Sequence, residues 1–139
     1  MPLLRRRQIG FTLLELLIAL VIIGLLVGVV GPNLFKNLGK SEVTTAQQQI
    51  DALSKALEQY RLDTGHFPRT EQGLASLMAQ PSDEPRWRGP YLKKAVPPDP
   101  WGQPYQYRSP GSNSRDFDLL SNGPSGRPGG TGDNAPITN

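Results

Sequence analysis

The sequence predicts an α+β chain, in which one long N-terminal helix packs on a small loop-rich region with a short antiparallel sheet. The helix should have a transmembrane half followed by an amphipathic half. Three observations carry this expectation. Phe11 to Val30 is an apolar run of about twenty residues, the length that crosses a bilayer as a helix. Val43, Ala46, Ile50, Leu53, Leu57 and Tyr60 then recur in steps of three and four, which places them on one helix face. From Gly65 onward, most of the fifteen glycines and fourteen prolines break up the pattern, leaving only short alternating stretches.

The apolar run opens with a basic head. Fifteen Lys+Arg face twelve Asp+Glu in the 139 residues, and Arg5, Arg6 and Arg7 supply the whole excess of +3. Beyond Gly10 the signs balance, so the body offers no electrostatic footprint for nucleic acid. The chain has no cysteine, which excludes disulfides, iron–sulfur clusters and thiol catalysis.

Glu15 is the anomaly within the run. A carboxylate costs a few kcal/mol near the centre of a membrane helix, and less near an end that reaches the interface. Three readings compete. A secretory signal peptide would have a shorter apolar core and a small-residue cleavage site, whereas "VVGPNLF" follows here. A plain anchor fits the length, and the arginines would hold the N-terminus in the cytoplasm, with Glu15 snorkelling to the interface. In the third reading the chain is cut after Gly10. The arginines leave, Phe11 becomes the N-terminus, and its amine lies at the same membrane depth as the Glu15 carboxylate of a neighbouring copy. A half-buried charge is tolerable with such a partner.

Beyond the run, Gln47, Gln48, Asp51, Lys55 and Glu58 fill the polar face of the second half-helix. Gly65 suits the left-handed conformation that ends it. Some fifty residues at 1.5 Å each give roughly 75 Å of helix. Gly31-Pro32 interrupts the apolar pattern, as either a bend that yields on packing or a break between two helices. Gly24 and Gly28 have the small-xxx-small spacing that permits close helix approach.

"HFPRTEQGLASLMAQP" reads as a turn and a short helix, with Thr70 as N-cap and Leu74, Leu77 and Met78 inward. Trp87, Tyr91, Trp101, Tyr105 and Tyr107 supply packing mass. "QPYQYRS" and "RDFDLLS" alternate as strands and are joined by "PGSNS", which predicts an antiparallel hairpin against the long helix. His66 is the single histidine and reads as a surface or capping residue of its turn. No phosphate loop, dinucleotide fingerprint, zinc spacing or nucleophile elbow occurs. Asp99, Asp116 and Asp118 lack sequence partners that would make a catalytic dyad. The chain therefore does not read as an enzyme.

"GFTLLELLIALVIIGLL" behind a basic leader resembles the class III signal of type IV prepilins and pseudopilins. The resemblance implies cleavage between Gly10 and Phe11 by a prepilin peptidase and N-methylation of Phe11, with Phe11, Glu15 and Pro32 serving assembly. "LDTGHFPRTEQGLASLM", "GPYLKK", "PPDPWGQPYQY" and "FDLLSNGPSGRPGGTGD" together resemble the major pseudopilin (core protein G) family of type II secretion systems, over nearly the whole chain. That resemblance implies a pilin-like fold and a homopolymeric periplasmic filament. It also implies an inner-membrane anchor with a cytoplasmic N-terminus, and partnership with the assembly platform and minor pseudopilins. The expected division is a leader over 1–10, an assembly helix over 11–31, an amphipathic helix over 32–64 and a periplasmic region over 65–139. A type IV pilus or minor pseudopilin subunit would share the N-terminus, and a plain anchored binding protein is the other alternative.

The family also implies calcium in the last loop. Calcium takes six to eight oxygens, and a glycine-rich loop can turn its carbonyls inward. Here Ser125 stands where the family has aspartate in a G-x-D-G turn. Ala135-Pro136-Ile137-Thr138-Asn139 replaces an A-D-I-x-N-W ending. Asn122, Ser125 and Asp133 are the remaining candidate ligands; otherwise the loop is ordered by its own hydrogen bonds.

Overall fold

The computed structural model describes residues 10–139, apart from the side chain of Asn33, so the leader assignment lies outside the described residues except for Gly10. One helix, α1, runs Leu13–Thr64. Thr12 starts it: its hydroxyl accepts the Glu15 backbone N–H at 3.2 Å, satisfying one of the donors that a helix start leaves unpaired. Gly65, at φ 90°, stops it, and its N–H makes the last bond to the Arg61 carbonyl at 2.7 Å. Pro32 lies inside α1 and does not break it. A proline lacks the N–H that would bond four residues back and crowds that carbonyl. The residue there is Gly28, so no side chain adds to the crowding.

The chain divides into two compact units between Gly39 and Lys40. In the first, the helix has no cover: large apolar side chains from Phe11 to Val30 are more than half exposed. In the second, the amphipathic pattern is read out as expected. Ala46, Ile50, Leu57 and Tyr60 are completely buried and Leu53 is 2 % exposed. Val43 is the exception at 40 %.

Against this face pack Leu77, Tyr105, Phe117, Leu119 and Ile137, all buried. Each large apolar side chain so buried contributes about 1.5–3 kcal/mol. The expected short helix is a single 3₁₀ turn, Leu74–Leu77. Thr70 does not cap it. Gly73 precedes the turn, and the Thr70 hydroxyl instead donates to the Ser109 carbonyl and accepts the Ser109 N–H, each at 3.0 Å. Leu77 is buried, whereas Leu74 and Met78 are half-buried.

The expected hairpin is present. β1 (Gln106–Arg108) pairs antiparallel with β2 (Asp118–Ser121), with Tyr107 opposite Leu119. A third strand, β3 (Ile137–Thr138), pairs antiparallel with the other edge of β2, with Ser121 opposite Ile137. Two residues after a glycine- and proline-rich loop show no alternation, so β3 had no signature in the sequence. The buried Ile137 side chain and its ladder to β2 fix it.

Burial has a measurable signature in the tyrosines. Desolvation raises the pKa of Tyr60 and Tyr91 above 10.0 and pushes Tyr105 and Tyr107 up to about 12. A group whose pKa is raised by folding stabilises the fold below its unfolded pKa and loses that contribution as pH climbs to the folded value. The fold should therefore weaken between pH 10 and about 12. Native tyrosinate absorbance should lag a free-tyrosine titration and rise together with loss of near-ultraviolet circular dichroism. Four tyrosines titrating near pH 10 in an intact fold would contradict the packing.

Candidate assembly and processing site

The N-terminal site is defined by what surrounds it, and among the described residues nothing does. Gly10 is exposed, and a Cβ placed on it would meet no atom within 4 Å. Phe11 is 84 % exposed. Glu15 lies in the first turn of α1, exposed, and among the described residues it has no ion-pair partner. The positive end of the helix dipole favours a carboxylate there, by about 0.3–1 kcal/mol. Thr12-Leu13-Leu14-Glu15 has the T-x-x-E pattern of a capping box, and the Thr12 half of that box is formed. That signal was legible in the sequence and separates two roles at one position. The backbone of Glu15 serves the helix start, and its carboxylate remains available.

The apolar surface continues past the span. Leu34, Phe35 and Leu38 are 57 %, 74 % and 53 % exposed. Gly24 and Gly28 have open space where side chains would be, so a second helix could approach closely along that stripe. A continuous apolar face of this size is not left to water. The helix is long and apolar enough to cross a membrane.

An apolar groove of about 660 Å³ is lined by Leu74, Met78, Val96, Pro98 and Tyr105, among others, with no acid or base in its wall. The Tyr105 hydroxyl is already bonded to Gln49. Two carboxylates are buried: Glu84, which the sequence reading passed over, and Asp99, which it left without a partner. Glu84, 4 % exposed, lies with Oε2 2.7 Å from His66 Nε2, while His66 Nδ1 is 2.9 Å from the Phe67 carbonyl. His66 therefore tethers its turn to Glu84. Asp99, 3 % exposed, accepts the backbone N–H of Trp101 and Gln103 at 3.1 and 2.8 Å and the Ser121 hydroxyl at 2.5 Å. Each acid combines local backbone donors with one distant side chain, Ser121 for Asp99 and His66 for Glu84.

The donor set of the last loop does not fit a strong calcium site. Asp133 is its single acidic side chain and is exposed. Among the described residues no hydrogen bond links any two of Asn122, Ser125 and Asp133. The Ser125 hydroxyl accepts the Arg127 N–H at 3.3 Å. The carbonyls of Gly123, Thr131 and Gly132 accept the N–H groups of Gly126, Asn134 and Ala135 at 3.1–3.2 Å. Among the described residues, no three acidic, histidine or cysteine side chains converge on a point that could hold a metal.

An uncovered apolar helix that becomes amphipathic and is clasped by a small three-stranded sheet defines a pilin-like class of protein. The prokaryotic N-terminal methylation motif matches residues 5–31, and the family model for type II secretion system protein G matches residues 33–139. Core protein G of Pseudomonas aeruginosa is 42 % identical over 97 % of this chain and 96 % of its own length. That of Vibrio cholerae is 44 % identical over 96 % and 92 %. The crystal structure of the major pseudopilin from the type 2 secretion system of enterohaemorrhagic Escherichia coli superposes with a TM-score of 0.64. It has 40 % identity and covers 78 % of this chain and 94 % of its own. The chain belongs to the type II secretion system protein G family.

Proposed function

We propose that this chain is a major pseudopilin: the repeating subunit of the periplasmic pseudopilus through which a type II secretion system drives folded proteins across the outer membrane. The observation that carries this reading is the uncovered apolar helix from Phe11 onward, with one carboxylate in its first turn. In the inner membrane the helix is covered by lipid, and in the filament by its own copies. The N-terminus faces the cytoplasm, where the arginines retain it, and the body lies in the periplasm.

Processing converts one state into the other. A prepilin peptidase cuts between Gly10 and Phe11 and methylates the new Phe11 amine. That amine pairs with Glu15 of an adjacent subunit and sets the register of each incoming copy. The inner-membrane assembly platform and minor pseudopilins are the remaining partners. No step requires acid–base or nucleophilic chemistry from this chain, in keeping with a structural family.

Intact mass of membrane-extracted protein, from hosts with and without a prepilin peptidase, tests the reading. Loss of Met1 to Gly10 together with gain of one methyl group, only where the peptidase is present, is the expected result. An uncut chain in both hosts would leave a plain membrane anchor.

A further inference from the structure

The loop from Ser121 to Asn139 is where the family resemblance implies calcium, yet its residues supply a single charged ligand. What holds it is written in its own hydrogen bonds. We propose that a protein-only latch, built from Asp99, Ser121 and Asn139, closes this loop, and that the subunit folds independently of calcium.

At the near end, Ser121 is completely buried at the end of β2. Its hydroxyl donates to Asp99 Oδ2 at 2.5 Å and accepts the Gly123 N–H at 3.1 Å. The other Asp99 oxygen is held by Trp101 N–H and Gln103 N–H. A buried carboxylate with three donors needs no cation, and hydrogen bonds to an ionised group are the strong ones. The start of the loop is thus pinned to the 99–103 turn.

At the far end, Asn139 continues the ladder of β3. Its N–H donates to the Leu119 carbonyl at 3.0 Å, and its side-chain oxygen accepts the Leu119 N–H at 2.9 Å. The Asn139 amide nitrogen also reaches the Phe117 carbonyl at 3.4 Å. One residue therefore grips β2 through both main chain and side chain. Asn139 and Ser121 anchor the two ends of the loop to the same strand.

Between the anchors, glycines at 123, 126, 129 and 132 have φ of 70°, 63°, 77° and 61°. A left-handed residue at every third position folds the chain into successive tight turns, closed by the carbonyl–amide bonds described above. The limbs also touch: a Cβ on Gly130 would fall 1.8 Å from the Asn134 carbonyl oxygen. Carbonyls spent on turn bonds and limb contacts are less free to coordinate an ion. Calcium affinity follows the charge count of the ligands, and Asp133 is the single acidic side chain of this loop.

This inference concerns the folded subunit and stands apart from the filament reading. The test is thermal unfolding of the mature full-length chain in detergent, in excess calcium and in excess chelator. A calcium concentration a hundredfold above the dissociation constant of a site would raise Tm by roughly 10–20 °C. The expected result is no resolvable difference between the two conditions. Ser121→Ala and, separately, Asn139→Ala should each lower Tm equally in calcium and in chelator. Ser125→Asp with Pro136→Asp should add a calcium-dependent rise that the wild-type chain lacks. A wild-type Tm that climbs in calcium and falls in chelator would overturn the proposal. So would unchanged stability in both latch variants.

Discussion

Glu15→Val is expected to insert, be cut and be methylated, yet fail to build filaments. The substitution makes the anchor more apolar, so insertion is not at risk. The Thr12 hydroxyl bonds the backbone N–H of residue 15 and not its side chain, so the helix start survives. Only the favourable dipole interaction, about 0.3–1 kcal/mol, is lost from the isolated subunit. In the assembly the loss is larger. A buried Phe11 amine without its carboxylate costs about 3–5 kcal/mol, and each 1.4 kcal/mol is tenfold in an equilibrium constant. That is a weakening of about a hundredfold or more at every subunit contact. Sheared-filament yield should fall close to nothing while the membrane pool of mature protein is unchanged. Glu15→Gln keeps the shape and a hydrogen-bonding oxygen but not the charge, and should recover part of the yield. Filaments of normal length and number from the valine variant would remove the amine–carboxylate pairing from the mechanism.

Gly10→Glu should be equally severe at an earlier stage. Within its own chain the position is unconstrained, since nothing lies within 4 Å of a Cβ placed there. Folding of the body and its melting temperature should be those of the wild type. On the processing reading proposed above, what changes is the fit of the scissile bond into the peptidase, which a glutamate side chain at this position would obstruct. The expected product is a precursor of full mass, retained in the membrane, with no methyl group. Its Phe11 nitrogen remains an amide, so Glu15 gains no charged partner and assembly fails as well. Normal maturation of this variant would place the cut elsewhere. The two variants thus separate processing from polymerisation: one yields an unassembled mature chain and the other an unassembled precursor.

Parts of this protein are legible because their physics is local. The apolar run, the three-and-four spacing from Ala46 to Tyr60, the glycine stop at 65 and the β1–β2 alternation depend on neighbours a few residues away, and each appears as expected. The T-x-x-E start at Thr12 was equally local. The proline at 32 misled in part, because a helix interior tolerates the lost bond where the facing position is a glycine and where packing or lipid supports the rest. Thr70 misled for a different reason. Its hydroxyl had a distant alternative in the Ser109 backbone, and two bonds there replace the single bond of a cap.

Hydropathy alone marks Phe11 to Val30 as a segment apolar and long enough to cross a bilayer. The three-and-four period and the glycine at 65 likewise mark where the helix ends. The tertiary structure decided what closes the last loop. Asp99 and Ser121 are twenty-two residues apart, as are Phe117 and Asn139. Neither pairing carries a periodic signal, because a hydrogen bond across such a gap depends on how the sheet and the 99–103 turn are laid on α1. The same placement buried Glu84 beside His66 and made a strand of Ile137–Thr138. Long-range polar contacts of this kind are chosen by the packed core, which brings their partners together only after the local elements have formed.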